Sequence, residues 1–328
     1  MAVGTGLNET LNYATEYSRA LAQAFPYVLN FGKLYSTPNN GRYRWVNAKT
    51  IEIPSIRTTG RVNADRDTIG VAARNYDNAW ETKTLSNQRK WSTLVHPMDI
   101  DQTNLVATIS NITQVFNEEQ KFPEMDAYLI SRLYTLWTTN VVGEGYVGKS
   151  PDTTALTEAN ILGVFDQLML NMDNARVPVN GRILYCTHEV KVLLKNAEDV
   201  YRSLSVTNNN HLIDRVVNRL DEVEVIGVPA ELMKTKYNFT TGWAVAGDAA
   251  QINMFLVHPN AVITPVSYTF SQLERPSALS EGKYVYYEES FEDAFILNKK
   301  ADALQFNITA ASPSGTTTTT TTTTTNEG

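Results

Sequence analysis

The sequence predicts an α+β fold, and three observations carry that prediction. Several stretches place apolar residues at steps of three and four, the period of a helix with one buried face. Others are short apolar runs or alternate with period two, as strands do. The two kinds are mixed irregularly along 328 residues, 42% of them hydrophobic, which is enough for a sizeable core.

Taken in order, residues 9–25 set Leu11, Tyr17, Leu21 and Phe25 at helical spacing, an amphipathic arm at the start of the chain. Pro38, Asn39, Asn40 and Gly41 make a turn. RYRWVNAKTIEIPSI reads as strand, with Ile51 and Ile53 alternating with polar residues. RTTGRVNADRDTIGVAARNYDN then has almost no large apolar residue, and AWETKTLSNQRKWSTLV resumes a strand pattern. This predicts an extended hairpin, polar on both faces, standing off the body; the alternative is an ordinary mobile loop. Such strands bury little of their own and rest on another surface.

Asp101 or Thr103 is the expected cap of a helix carrying Leu105, Ile109, Ile112 and Phe116. KFP interrupts it, and Pro123, followed by Glu124 and Asp126, starts a longer helix to about residue 140 with Met125, Leu129, Leu133, Leu136 and Trp137. A helix from about Thr157 presents Ile161, Val164, Phe165, Leu168 and Met172 on one face. Turns at Val177–Pro178 and Asn180–Gly181 precede the buried strand ILYC, and Thr187 caps the helix HEVKVLLKN. EVEVIGV is a short strand; WAVAGDAAQINMFLVHPNAVITPV holds two more around a turn. KYVYYEESFEDAFILNKKADALQFNI gives two or three long strands. Residues 310–328 contain ten consecutive threonines, Thr316 to Thr325, with nothing apolar to bury. They read as a disordered tail, solvated or O-glycosylated.

Net charge is −7, with acid and base interspersed, which argues against a surface built to grip phosphates. The one cysteine, Cys186, excludes an intrachain disulfide and reads as a small buried hydrophobe. The first ten residues have neither the basic nor the apolar region of a signal peptide, and no run is long enough to span a membrane.

GEGYVGKSPD, Gly143 to Asp152, fits the phosphate-binding pattern G-x-x-x-x-G-K-S. That loop requires a buried strand before it and a helix opening at its Lys-Ser. Here a helix precedes it and Pro151 follows, so a glycine-rich connection is the reading preferred to a nucleotide site. The nearest candidate for a magnesium-holding acid is Asp248 in WAVAGD. Of the four histidines none lies four residues from another; His188 is followed by Glu189 but by no second histidine, and His96 sits close to Asp99 and Asp101. A strand end leading into a helix cap explains that trio better than a metal site. Glu118, Glu119, Glu124 and Asp126 are better explained as charges at a helix end and a helix start than as paired catalytic acids. No catalytic residue, cofactor site or metal site is assigned, and a binding or structural role is expected.

The order of parts, with the stretches IRTTGRVNADRDTIG, RNYDNAWETKTLSNQRKWSTLVHPMDIDQTN, NEEQKFPEMDAYLISRLY and FEDAFILNKKADALQFNI, resembles the major capsid proteins of tailed double-stranded-DNA bacteriophages, the Hong Kong 97-type coat fold, in particular those of phages of Gram-positive bacteria. The resemblance covers roughly residues 5–309. It implies an N-terminal arm (1–41), an extended loop (42–98), a peripheral domain (99–150 with 251–309) built on a long spine helix, an axial domain (151–250), and the tail (310–328) outside the shared fold. It implies a non-enzymatic coat subunit that assembles with copies of itself, as pentamers and hexamers, into an icosahedral shell around double-stranded DNA without reading its sequence. Assembly would take place in the host cytoplasm without a membrane, beside a portal and with a separate scaffolding protein, or none. The inter-subunit contacts expected at the loop tip are Arg57, Arg61, Asp65, Arg66 and Asp67. The tip, Ser55 to Tyr76, has no lysine, so the Lys–Asn crosslink of some family members is not expected. An encapsulin-type bacterial compartment is the alternative on the same fold; a P-loop-like nucleotide-binding protein is a remote one.

Overall fold

A computed structural model describes residues 27–61, 63, 74–102, 108–139, 147–197 and 217–309. The predicted arm helix at 9–25, Asp65, Arg66, Asp67, Thr103, Leu105 and the threonine tail lie outside these residues.

The core is a five-stranded sheet in the order β15-β10-β5-β7-β6. Its members are β5 (Ile183–Thr187), β6 (Arg219–Leu220), β7 (Val223–Val228), β10 (Gln251–Val257) and β15 (Leu304–Thr309). β5 and β7 run parallel; the other pairings are antiparallel. Side chains alternate across a strand, and here both sides are apolar. Leu184 and Cys186 face one layer with Val223, Val225, Met254 and Leu256. Ile183 and Tyr185 face the other with Phe255, Leu304 and Phe306. The sheet draws strands from 151–250 and from 251–309, so these two segments share one hydrogen-bonded core.

On the first side lie α5 (Ile161–Asn174) and α6 (His188–Asn196). α5 buries Ile161, Val164, Phe165, Leu168 and Met172, the face its spacing predicts, and each such side chain contributes about 2 kcal/mol by leaving water. It starts four residues later than expected, because Thr157 to Asn160 form a turn in which the Asn160 side chain accepts the Thr157 N–H at 2.8 Å. Thr187 caps α6 as expected, its hydroxyl accepting the Val190 N–H at 3.3 Å. Gly181 adopts φ +89°, the left-handed region its turn requires. Arg182, fully buried behind it, is satisfied by Asp173 and by the carbonyls of Val177 and Pro178.

On the second side lies the long helix α4 (Phe122–Thr138), burying Leu129, Leu133 and Trp137 against the sheet. Phe31 and Leu34, around the short α1 (Gly32–Tyr35), complete this layer. KFP does not end the preceding helix. α3 (Ile109–Phe116) continues through one wide π-type turn, Asn117–Lys121, into α4. Pro123 has no N–H to continue the α register, and the wide turn absorbs the gap, with the Phe122 N–H bonding to the Asn117 carbonyl. α2 (Pro97–Gln102) contains Asp101, so the predicted cap is displaced: Thr108 caps α3, accepting the Asn111 N–H.

Two smaller sheets project from this body. β1 (Arg44–Asn47), β2 (Thr50–Thr58) and β3 (Tyr76–Thr84) form one. RYRWVNAKTIEIPSI is therefore two strands joined by a tight turn, not one. β12 (Val266–Glu274), β13 (Tyr284–Glu292) and β4 (Gln88–Val95) form the other. AWETKTLSNQRKWSTLV is also two strands, broken at Leu85–Asn87 and shared between the two sheets. Short pairs β8 (Tyr237–Asn238) with β9 (Ala244–Val245), and β11 (Val262–Ile263) with β14 (Phe295–Ile296), tie the loops.

Two predictions follow from buried polar groups. The Tyr185 hydroxyl is buried and has no hydrogen-bond partner among the described residues. Tyr185→Phe removes that desolvated group and raises stability by about 1 kcal/mol, read as a higher urea midpoint. Asp126, fully buried on α4, accepts hydrogen bonds from the Tyr27 hydroxyl and from the backbone N–H groups of Asn30 and Phe31. Burial raises its pKa against the opposing pull of those donors. A raised acid binds its proton more tightly in the folded state, so its stabilisation is full below the unfolded pKa and is lost as pH rises through the folded pKa. Urea midpoints across the acid range will show this slope in the parent chain and its loss in Asp126→Asn.

Candidate assembly surfaces

The β2–β3 hairpin has nine residue pairs, from Thr50↔Thr84 at its base to Thr58↔Tyr76, a reach of about 27 Å. Only its root is buried: Ile51 with Leu85, Phe291 and Phe295. From Pro54 and Trp80 outward no described residue of the hairpin is buried. Polar bonds tie the hairpin to the body at its root and further out. The Lys83 ammonium donates to Asn298 Oδ1 at 2.8 Å, the Asn298 N–H donates to Glu81, and the Lys299 ammonium donates to the Ile56 carbonyl at 3.0 Å.

The centre of the attachment is Asp293, 4% exposed. Its carboxylate accepts from the Ser86 N–H at 2.9 Å and the Ser86 hydroxyl at 3.1 Å, where the chain leaves the hairpin for β4. It also accepts from the Tyr128 hydroxyl at 2.8 Å and Arg132 Nε at 3.1 Å, both on α4. One buried anion thus joins hairpin, spine helix and the end of β13. Burial, with the Asp293 charge beside it, holds the Tyr128 hydroxyl far above the usual tyrosine range.

Directly opposed residues of an antiparallel pair share a face. One face of the hairpin carries Pro54, Ile56, Tyr76 and Trp80, with Ile56 66%, Tyr76 59% and Trp80 44% exposed. Arg44 extends this strip, its guanidinium 4.4 Å from the Trp80 ring centre and 2.9 Å from Glu52. The hairpin is therefore not polar on both faces, as its composition suggests. The signal was present as period-two spacing, Pro54-x-Ile56 and Tyr76-x-x-x-Trp80, but the polar residues between outnumber it. Of the predicted contacts, Arg57 lies on the opposite face, across from Asp77, and Arg61 is exposed beyond the last pair. The structure brings neither together with the apolar strip. Asp65, Arg66 and Asp67 fall outside the described residues.

The second exposed surface is the β12–β13–β4 sheet. Its inner face packs on the helices: Trp91 stacks on Phe116 at 3.9 Å, Arg89 pairs with Glu124 at 2.6 Å and Lys121 with Glu288 at 3.1 Å. A groove of about 780 Å³ lies here, but its cations and acids are largely paired with each other. Burial raises the Glu292 pKa beside it. The outer face carries Leu94, Tyr268, Phe270 and Tyr287, and β12 forms one edge of the sheet, exposed along almost its whole length.

The G-x-x-x-x-G-K-S stretch performs a structural task. The Lys149 N–H donates to the Trp137 carbonyl at 2.9 Å, closing the end of α4. A Cβ on Gly148 would lie 2.1 Å from the Thr138 carbonyl oxygen, so only glycine fits. The Lys149 ammonium pairs with Asp302 at 2.7 Å, and Asp248, the candidate magnesium ligand, pairs with Lys236 at 2.5 Å. His96 accepts the Met98 N–H at the start of α2, and no group of three metal-ligating side chains occurs among the described residues. Burial pushes the Cys186 thiol up to about 12, which closes thiolate chemistry to it. Among the described residues no helix is long and apolar enough to cross a membrane.

The sequence matches no protein-family profile and no curated protein sequence. Solved structures do match. The mature capsid of bacteriophage PhiM1 aligns over 92% of this chain and 93% of its own, with a TM-score of 0.65 at 12% identity. The capsid of the cyanophage P-SCSP1u aligns over 91% and 93%, with a TM-score of 0.62 at 12% identity. A chain from Mycobacterium phage Che8 aligns over 92% and 98%, with a TM-score of 0.58 at 10% identity. The chain has the fold of these phage capsid structures over nearly its full length.

Asp293→Ala removes the shared acceptor and leaves Arg132 without its buried partner. We expect a loss of about 3–5 kcal/mol, with amide exchange accelerating first at β2, β3 and Ser86.

Proposed function

We propose that this chain is the coat subunit of a phage-type capsid, a structural protein that assembles with copies of itself into a closed shell around double-stranded DNA. The observation that supports this most is the pairing of a capsid fold with a hairpin whose apolar strip, Ile56, Tyr76 and Trp80, its own described residues leave uncovered. Exposed apolar residues lined along one face mark a protein contact. In a shell that contact is another copy, and many weak contacts sum to a stable assembly.

In this reading the division is the arm at 1–41, the extended loop at 42–98, the peripheral part at 99–150 with 251–309, and the axial part at 151–250. The last two act as one rigid unit through their shared sheet, and the hairpin and arm reach to neighbours. The subunit needs no catalytic residue or cofactor. A net charge of −7 suits a container that must fill with DNA and release it. Portal and scaffolding proteins, if used, are separate chains, and the assembled product is the virion shell. The nucleotide-binding reading loses its support because Gly148 and Lys149 close the spine helix.

The double variant Ile56→Asp with Trp80→Glu tests the proposal. Both residues are exposed, so stability should move by no more than about 0.5–1 kcal/mol, while closed shells disappear from negative-stain images. Shells that persist in the variant, or a parent chain that stays solitary at high concentration, would count against it.

A further inference from the structure

We propose that the free edge of β12 pairs antiparallel with β12 of a second copy, centred on Phe270, to make a two-fold contact between subunits. The inference rests on the coat-subunit reading and adds a second contact, on a different sheet from the hairpin. β12 is nine residues long, and no strand among the described residues pairs with its outer edge. Val266, Tyr268, Phe270 and Leu273 are between 37% and 51% exposed. Residues 266–273, VSYTFSQL, carry no charge. Exposed edges that must stay unpaired usually carry a lysine, an inward charge or a proline within the strand. Here the proline, Pro265, stands just before it and marks where pairing stops.

Charge and aromatic placement choose the occupant. Folded back on itself about Phe270, the strand sets Phe270 against Phe270, Tyr268 against Gln272, and Val266 against Glu274. No like charges meet, and the two Glu274 side chains lie at opposite ends. A parallel arrangement would set them side by side. On the outer face, Phe270 already stands 6.1 Å from Tyr287 and 6.3 Å from Tyr268 between ring centres. The pairing joins this cluster to its copy across the axis, and cross-strand aromatic pairs stabilise such ladders. Antiparallel pairing of two identical strands about one residue is an isologous two-fold contact, in which one patch serves both partners.

The test uses the buried Cys186 as a silent background. In the full-length chain under assembly conditions, Phe270→Cys places two thiols directly across the axis, within disulfide reach. Tyr268→Cys places them four residues apart, so roughly tenfold less covalent dimer is expected for it on mild oxidation. The double variant Tyr268→Cys with Gln272→Cys should crosslink where each single substitution does not, which keeps the test intact if Phe270→Cys folds poorly. Shells that form without a Phe270→Cys dimer overturn the pairing and leave the coat-subunit reading standing. So does a thiol at 270 shielded from alkylation yet monomeric, because another segment then covers the edge. A dimer from Ser271→Cys in place of Phe270→Cys overturns the register. A parent chain that remains monomeric overturns both readings.

Discussion

A buried carboxylate fixes the direction in which the hairpin leaves the body. Asp293 is buried, so its hydrogen-bonding capacity is met by protein donors, and these belong to three separate elements. Ser86 carries the hairpin, Tyr128 and Arg132 carry the spine helix, and the Ala294 N–H carries the turn out of β13. Apolar contacts at the root, Ile51 with Phe291 and Phe295, add burial but little direction. The charge supplies the direction, because a displaced donor leaves an anion unpaired at low dielectric. Asp126, two residues before Tyr128 on the same helix, gathers a second set of donors, holding Tyr27, Asn30 and Phe31 where the arm meets the body.

Two kinds of surface follow. The five-stranded sheet is covered by packed apolar residues on both sides. The hairpin, buried only at its root, and the β12–β13–β4 sheet, with one face on the helices, each turn an apolar strip outward. A molecule meant to work alone would gain by covering those strips. A shell subunit gains by leaving them open, since the same area is buried once per neighbour.

The sequence was most legible where structure is local. The buried face of α5, the all-buried strand ILYC, and the Thr187 cap depend on residues within a few positions of one another, and spacing alone predicts them. It was least legible where the deciding partner is distant. Nothing near Leu85–Asn87 says that the strand breaks there; the partner that bends it, Asp293, lies about two hundred residues away. The KFP stretch has the residues of a helix stop, and only the wide turn, set by packing, keeps the helix going. The contacts expected at the loop tip came with the resemblance; of these Arg57 lies across the hairpin from the apolar strip, which shows in the sequence only as period-two spacing among more numerous polar residues. The resemblance to phage coat proteins supplied the global arrangement that periodicity could not.

The wide turn in the spine has a geometric effect. One extra residue in a helix rotates everything after it by about 100°. Before the turn, Phe116 looks toward Trp91 and the β12–β13–β4 sheet; after it, Leu129, Leu133 and Trp137 look toward the central sheet. A single rod thereby serves two differently oriented layers, the outer sheet along its first stretch and the central sheet along its second.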